Sequence, residues 1–196
     1  WQLILMDDQS TDILLVPADP RIEYHATRTP AEVPRGPARM ARGIRQAMRY
    51  VEGSVICYLA DDDFYHPEWL SWVNLAFIRN ADADVVWGRL RYVDVEGVPT
   101  GDERMPYGWE HPARNLDHNQ VAHRRRLNHG ALPPWPTDME RLRDLNTDGP
   151  DAGFFYDLWH VTKQWLPLPW ADAAFKRVHD RSMLLQGIGN ITEVRE

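Results

Sequence analysis

Val55-Ile-Cys-Tyr-Leu-Ala-Asp61-Asp62-Asp63-Phe-Tyr-His-Pro67-Glu-Trp-Leu70 is the stretch whose reading decides the fold. The apolar run from Val55 to Ala60 predicts a short buried strand. It stops abruptly at three consecutive aspartates. Pro67 and Glu68 then predict the start of a helix, since proline is tolerated in a first turn and a carboxylate favours that end. Three carboxylates therefore stand at the carboxyl end of a core strand, the place where open α/β sheets bind ligands. Like charges this close need compensation, and hard divalent cations such as Mg²⁺ and Mn²⁺ take carboxylate oxygens. In an extended segment Asp61 and Asp63 would share one side and Asp62 the other. The competing reading is a solvated acidic turn that caps the helix.

Working outward, 196 residues suit one domain, and 43% hydrophobic residues supply a sizeable core. A net charge of −7 argues against a nucleic-acid-binding surface. Cys57 is the single cysteine, so no disulfide can form within the chain; it reads as an inert residue of the strand. A reducing, cytoplasmic location is the expectation. No apolar run reaches membrane-spanning length, and no signal peptide is evident.

Upstream, Gln2 to Met6 predicts a strand that runs into Asp7-Asp8-Gln-Ser10-Thr11-Asp12, a second acidic strand end rich in turn and capping residues. Asp7 and Asp8 can accept hydrogen bonds from a base or ribose, or can belong to a plain loop. Residues 17–37 carry five prolines and read as an irregular connection, with one short strand from Arg21 to Tyr24. Ala41, Ile44, Ala47, Met48 and Val51 recur at helical steps and predict a helix from Ala38 to Val51, capped by Gly53. Arg39, near its start, is placed to meet a diphosphate.

Downstream, a helix is expected from Trp69 to Asn80. A strand follows from Ala83 to Trp87, with Arg89 to Val95 a second strand or its continuation, then a turn at Glu96-Gly97. Residues 99–114 read as loop, and Met139 to Leu145 as a short helix. The basic run Arg124-Arg125-Arg126 reads as a solvated face or a phosphate contact. Pro150 and Asp151 stand in the first turn of another helix, with Phe154, Phe155, Leu158 and Val161 behind them. There Asp151 is either a helix cap or a general base. His179, after a short strand, is structural, a metal ligand or a phosphate donor.

Taken in order, these pieces resemble family 2 glycosyltransferases of the GT-A fold. "LILMDDQSTD" is similar to that family's second strand and nucleotide-binding turn. "ARMARGIRQAM" is similar to its Ala-Arg-Asn-x-Gly-Ile-x-x-Ala helix, with Met40 where the family has Asn. "ICYLADDDFYHPEWL" resembles its metal-binding Asp-x-Asp segment and "NQVAHRRRL" the acceptor side of its sheet. "PDAGFFYDL" resembles the Glu-Asp helix, with Pro150 on the Glu and Asp151 on the base position. "RVHDRSM" resembles the late Arg-x-His-x-x-Ser segment.

The resemblance implies an α/β, GT-A-like (Rossmann-like) mixed and mainly parallel sheet flanked by helices. Residues 1–98 would be its nucleotide-sugar-binding half and 99–196 the acceptor-side half of the same domain. A further strand, helix and nucleotide loop would be expected ahead of Trp1. The implied activity is metal-dependent, inverting transfer of a sugar from a UDP- or GDP-linked donor to an acceptor hydroxyl. Asp63, Asp61 and His179 would hold Mn²⁺ or Mg²⁺, and Asp7, Asp8, Arg39, Asp61 and Asp62 would bind the nucleotide sugar. Asp151 would be the base, with Asp157 the other candidate. Two alternatives use the same aspartates: a nucleotidyltransferase that releases pyrophosphate, and a non-catalytic GT-A module that binds nucleotide without turnover.

Overall fold

The computed structural model describes residues 1–8, 16–30, 37–104, 116–128 and 150–178. The chain divides into two compact units. One is drawn from Trp1–Ile56, Tyr107–Leu116 and His123–Gln164, the other from Cys57–Pro106, Asp117–Ala122 and Trp165–Glu196.

In the first unit, β1 (Leu3–Asp7) and β2 (Ile22–Ala26) form a parallel pair in which Leu3 faces Ile22 and Asp7 faces Ala26. Helix α1 (Pro37–Ala47) opens on proline and buries Ala38 and Ala41. It stops well before Gly53: Met48 to Tyr50 unwind into turns, and the positive-φ glycines among the described residues are Gly97 and Gly101. Helix α2 (Trp69–Arg79) belongs to the other unit. Helix α3 (Pro150–Val161) begins on the expected proline and buries Phe154, Phe155 and Leu158. The Phe154 ring lies 5.6 Å from that of His123. Burial pushes the His123 imidazole down to about 4, so it packs as a neutral ring.

The larger sheet has six strands: β3 (Val55–Cys57), β4 (Phe64–Tyr65), β5 (Val85–Val93), β6 (Pro99–Arg104), β7 (Val121–Arg124) and β8 (Trp165–Arg177). Their order is β3-β7-β5-β8-β4, with β6 paired to β5. Strands β5 and β8 are parallel, whereas β6 on β5 and β4 on β8 are antiparallel, so the sheet is mixed. Helix α2 (Trp69–Arg79) buries Trp69, Val73, Ala76 and Phe77. Gly88 in β5 is required by packing: a Cβ there would lie 2.7 Å from the Ala171 carbonyl and 3.0 Å from the Trp69 ring. Cys57 is half-buried, and burial pushes its thiol up to about 12.

Three strand expectations need correction. Residues 99–104 form β6 rather than loop; Pro99 is tolerated because it opens the strand. The strand ahead of His179, expected to be short, is the longest of the sheet: β8 runs from Trp165 to Arg177, through Pro167 and Pro169. Each proline removes a ladder donor, and the β5–β8 register shifts there, from Trp87 opposite Pro167 to Arg89 opposite Asp172. The strand expected to reach Ala60 ends at Cys57, and Phe64–Tyr65 forms a short strand after the aspartates. The Met139–Leu145 helix lies outside the described residues.

Candidate functional site

The first acidic strand end belongs to the first unit. Asp7 closes β1. Its Oδ2 accepts a 2.6 Å hydrogen bond from the Tyr24 hydroxyl on β2, and its carbonyl accepts from the Thr27 N–H at 2.7 Å. Asp8 Oδ1 accepts from the Thr27 hydroxyl at 3.1 Å and the Thr29 N–H at 3.3 Å. Its Oδ2 faces Arg39 Nη1 at 3.5 Å. The parallel pairing of β1 with β2 sets these groups side by side, and Arg39 reaches them from the first turn of α1. The result is a half-buried patch of carboxylates, hydroxyls and one guanidinium. Such groups suit a ribose, the N–H of a base and a phosphate. The structure thus brings together Asp7, Asp8 and Arg39, with Arg39 turned onto Asp8.

The second acidic site belongs to the other unit. Asp61 and Asp62 form a turn, so the alternation of an extended strand does not apply. Asp61 is exposed, Asp62 half-buried, and Asp63 only 9% exposed. Asp63 Oδ1 accepts from the Arg177 backbone N–H at 2.9 Å, and Oδ2 from Asn119 Nδ2 at 2.6 Å. Burial pushes the Asp63 carboxyl up to about 6; the Arg177 N–H opposes this, and the charge of Asp62 adds to it. Each carboxylate oxygen has two lone pairs, so each keeps an acceptor position beyond its N–H partner. A hard oxygen donor whose ionised form is penalised by burial fits a hard cation. Among the described residues no three His, Cys, Asp or Glu side chains are grouped to hold a metal.

Behind Asp63 is a set of residues to which the sequence reading gave no role. Asn119 Nδ2 also donates to Asp117 Oδ1 at 2.9 Å, and its Oδ1 accepts from the Ala60 N–H at 2.8 Å. Asp117 is buried and pairs with Lys176 Nζ at 2.5 Å. Burial raises the Asp117 carboxyl, but His118 and Lys176 outweigh it and hold it at about 2. Asp117 also caps a 3₁₀ turn at His118–Gln120, its side chain accepting from the Asn119 N–H while Gln120 reaches back to the Asp117 N–H. The signal for these residues was present in the Asp-x-Asn-Gln order ahead of the basic run. That run is itself partly structural: Arg125 donates to the Val51 carbonyl at 2.7 Å.

Asp151 stands in the first turn of α3, where it was expected. His179 lies outside the described residues.

Residues 1–144 match the Glycosyl transferase family 2 profile. The chain belongs to that family. The match includes both acidic sites and ends before Asp151. The chain is 31% identical over 155 residues to Protein CgeD of Bacillus subtilis (strain 168), covering 71% of this chain and 36% of CgeD. Its fold is similar to that of S. aureus TarS 1–349, with a TM-score of 0.62 at 16% identity over 90% of this chain and 51% of that one. The structures of TarS 1–349 with UDP and with UDP-GlcNAc give TM-scores of 0.64 and 0.61 at 15% identity. They cover 90% and 92% of this chain, and 51% and 50% of the TarS chains. The fold is that of the GT-A glycosyltransferases. The chain spans about half of the TarS chains and about a third of CgeD. Among the described residues no helix is long and apolar enough to cross a membrane.

Proposed function

We propose that this chain transfers a glycosyl group from a nucleoside-diphosphate sugar to an acceptor hydroxyl, with Mn²⁺ or Mg²⁺ and with inversion at the anomeric carbon. The observation that carries the reading is Asp63, a buried carboxylate in a family 2 fold, held by two N–H groups with acceptor positions left over. UDP is the first nucleotide to try, because TarS, similar in fold, has been solved with UDP and UDP-GlcNAc.

Asp7 and Asp8 accept hydrogen bonds from ribose and base, and Arg39 adds positive charge for the diphosphate. Asp63, with Asp61 and His179, would hold the cation; Asp62 would contribute to the donor site. When bound, the cation neutralises charge that develops on the departing diphosphate oxygen. Asp151 takes the proton of the acceptor hydroxyl. That oxygen forms the new bond to the anomeric carbon as the bond to the diphosphate breaks, and nucleoside diphosphate leaves. A single displacement inverts the centre.

Calorimetric titration of UDP and GDP, with and without Mn²⁺, tests the donor site. One nucleotide should bind more tightly with Mn²⁺ in the wild type and lose that gain in Asp63→Asn. Absence of binding by either nucleotide to the folded chain would sink the reading. Product analysis separates the alternatives: nucleoside diphosphate marks glycosyl transfer, pyrophosphate marks nucleotidyl transfer, and binding without turnover marks a non-catalytic module. Asp151→Asn should lower kcat by about 10²–10⁴-fold with nucleotide affinity unchanged.

A further inference from the structure

The amide of Asn119 has three polar contacts, and their directions leave one orientation. Its NH₂ meets two carboxylate oxygens, Asp63 Oδ2 at 2.6 Å and Asp117 Oδ1 at 2.9 Å, which only accept. Its oxygen meets the Ala60 N–H at 2.8 Å, which only donates. Asn119 is fully buried, as is its neighbour Gln120. The side chain therefore joins both ends of the acidic turn, Ala60 before it and Asp63 after it. It also connects the turn to the Asp117–Lys176 ion pair, in which Lys176 Nζ lies 2.5 Å from Asp117 Oδ2. Asp117 is in turn capped onto Asn119 through the Asn119 N–H at 3.1 Å.

We propose that Asn119 is a positioning residue for the divalent-cation site. It fixes the rotation of the Asp63 carboxylate, and the Lys176–Asp117 pair fixes Asn119. This rests on the metal reading given above. An amide suits the role for two reasons. It can donate to two anions while carrying no charge of its own, so it leaves the net negative charge of the turn for the cation. Its carbonyl ties the backbone of the turn to the same point, so Asp63 cannot swing without breaking the Ala60 contact. A carboxylate at 119 would set oxygen against oxygen at both contacts, and an aliphatic side chain would leave buried groups unpaired.

The test uses Mn²⁺ with UDP as probes and reads Mn²⁺ affinity by electron paramagnetic resonance, well below the melting temperature. Asn119→Ala should weaken Mn²⁺ binding by about 10–100-fold, the usual loss when a group that orients a metal ligand is removed. Asn119→Ser, which keeps one donor, should fall between it and the wild type, and it serves alone if the alanine variant does not fold. Leu90→Val, a change in the core of the same unit, controls for stability: it should lower the melting temperature and leave Mn²⁺ affinity unchanged. Equal weakening in Leu90→Val, or unchanged affinity in both Asn119 variants, overturns the inference alone. A wild-type chain that takes up no Mn²⁺ with UDP overturns the metal reading and this inference with it.

Discussion

The chain ends two strands in adjacent aspartates, and the two places treat their carboxylates differently. At Asp7–Asp8 the side chains are half-buried and face hydroxyls of Tyr24 and Thr27 and the guanidinium of Arg39. At Asp63 the carboxylate is buried against an amide and a backbone N–H, with a second aspartate beside it in the chain. Similar residues thus give different chemistry. The first place has counter-charge of its own and offers neutral hydrogen bonding. The second has direct partners that are uncharged, and it is the one that gains most from an added cation.

The largest effect should come from exchanging charge at each place in turn. Asp63→Asn keeps the volume and one acceptor but removes the anion. Mn²⁺-dependent UDP affinity should drop by at least about 100-fold, as expected when a charged metal contact worth several kcal/mol is lost. UDP affinity without metal should hardly change. Asp8→Asn should do the reverse. It weakens the Arg39 pair and one acceptor, so UDP affinity should fall about tenfold both with and without Mn²⁺. If both variants lose the metal-dependent part equally, the contrast between the two places is wrong.

The sequence showed the first place more completely than the second. An apolar run broken by Asp7-Asp8, then a helix bearing Arg39, is a pattern of local neighbours, and parallel pairing of β1 with β2 adds only Tyr24 and Thr27. The second place depends on residues far apart in the chain: Asn119 lies 56 positions from Asp63, and Arg177 lies 114 positions away. An asparagine carries no charge or periodicity to mark it. Lys176 and Arg177 end a strand whose prolines hid it. The expected alternation of Asp61 and Asp63 failed for a related reason, because the strand ends at Cys57 and the aspartates form a turn. Helices α2 and α3 were legible because a proline at or just before the start and an apolar face behind it are both local signals.

A smaller effect, with a definite sign, should appear on titration. The folded Asp63 carboxyl is raised to about 6 from an unfolded value near 3.8. Between those values the folded chain binds more protons than the unfolded one, so stability should fall as pH rises from about 4 to about 6, by up to about 3 kcal/mol. Asp117, held at about 2, acts in the opposite direction: its contribution is present above about 4 and is lost as pH falls towards 2. Denaturant unfolding in EDTA across pH 2–8 should therefore show a maximum near pH 4 from this pair. On the proposed metal reading Mn²⁺ would compete with the Asp63 proton, so its affinity should fall about tenfold per unit below pH 6. In Asp63→Asn both the decline above pH 4 and the Mn²⁺ trend should flatten. A wild-type curve flat from pH 4 to 7 would remove the distinction between the two places.

The smallest effect concerns Tyr24. Its hydroxyl donates to Asp7 at 2.6 Å, and that contact raises the phenol above its ordinary value. Tyr24 is exposed, so water can replace the hydroxyl in Tyr24→Phe at little cost. Stability should hardly change. The Asp7 carboxylate loses the hydroxyl that fixes its rotamer. If Asp7 contacts the nucleotide, UDP affinity should shift by about threefold or less, with the ratio of affinities with and without Mn²⁺ unchanged. That ratio is the decisive quantity, because it isolates the cation from the hydrogen-bonding patch. A Tyr24→Phe variant that altered the ratio would mean that the patch at the end of β1 also governs the cation, and the assignment of charge to Asp63 would have to be redrawn.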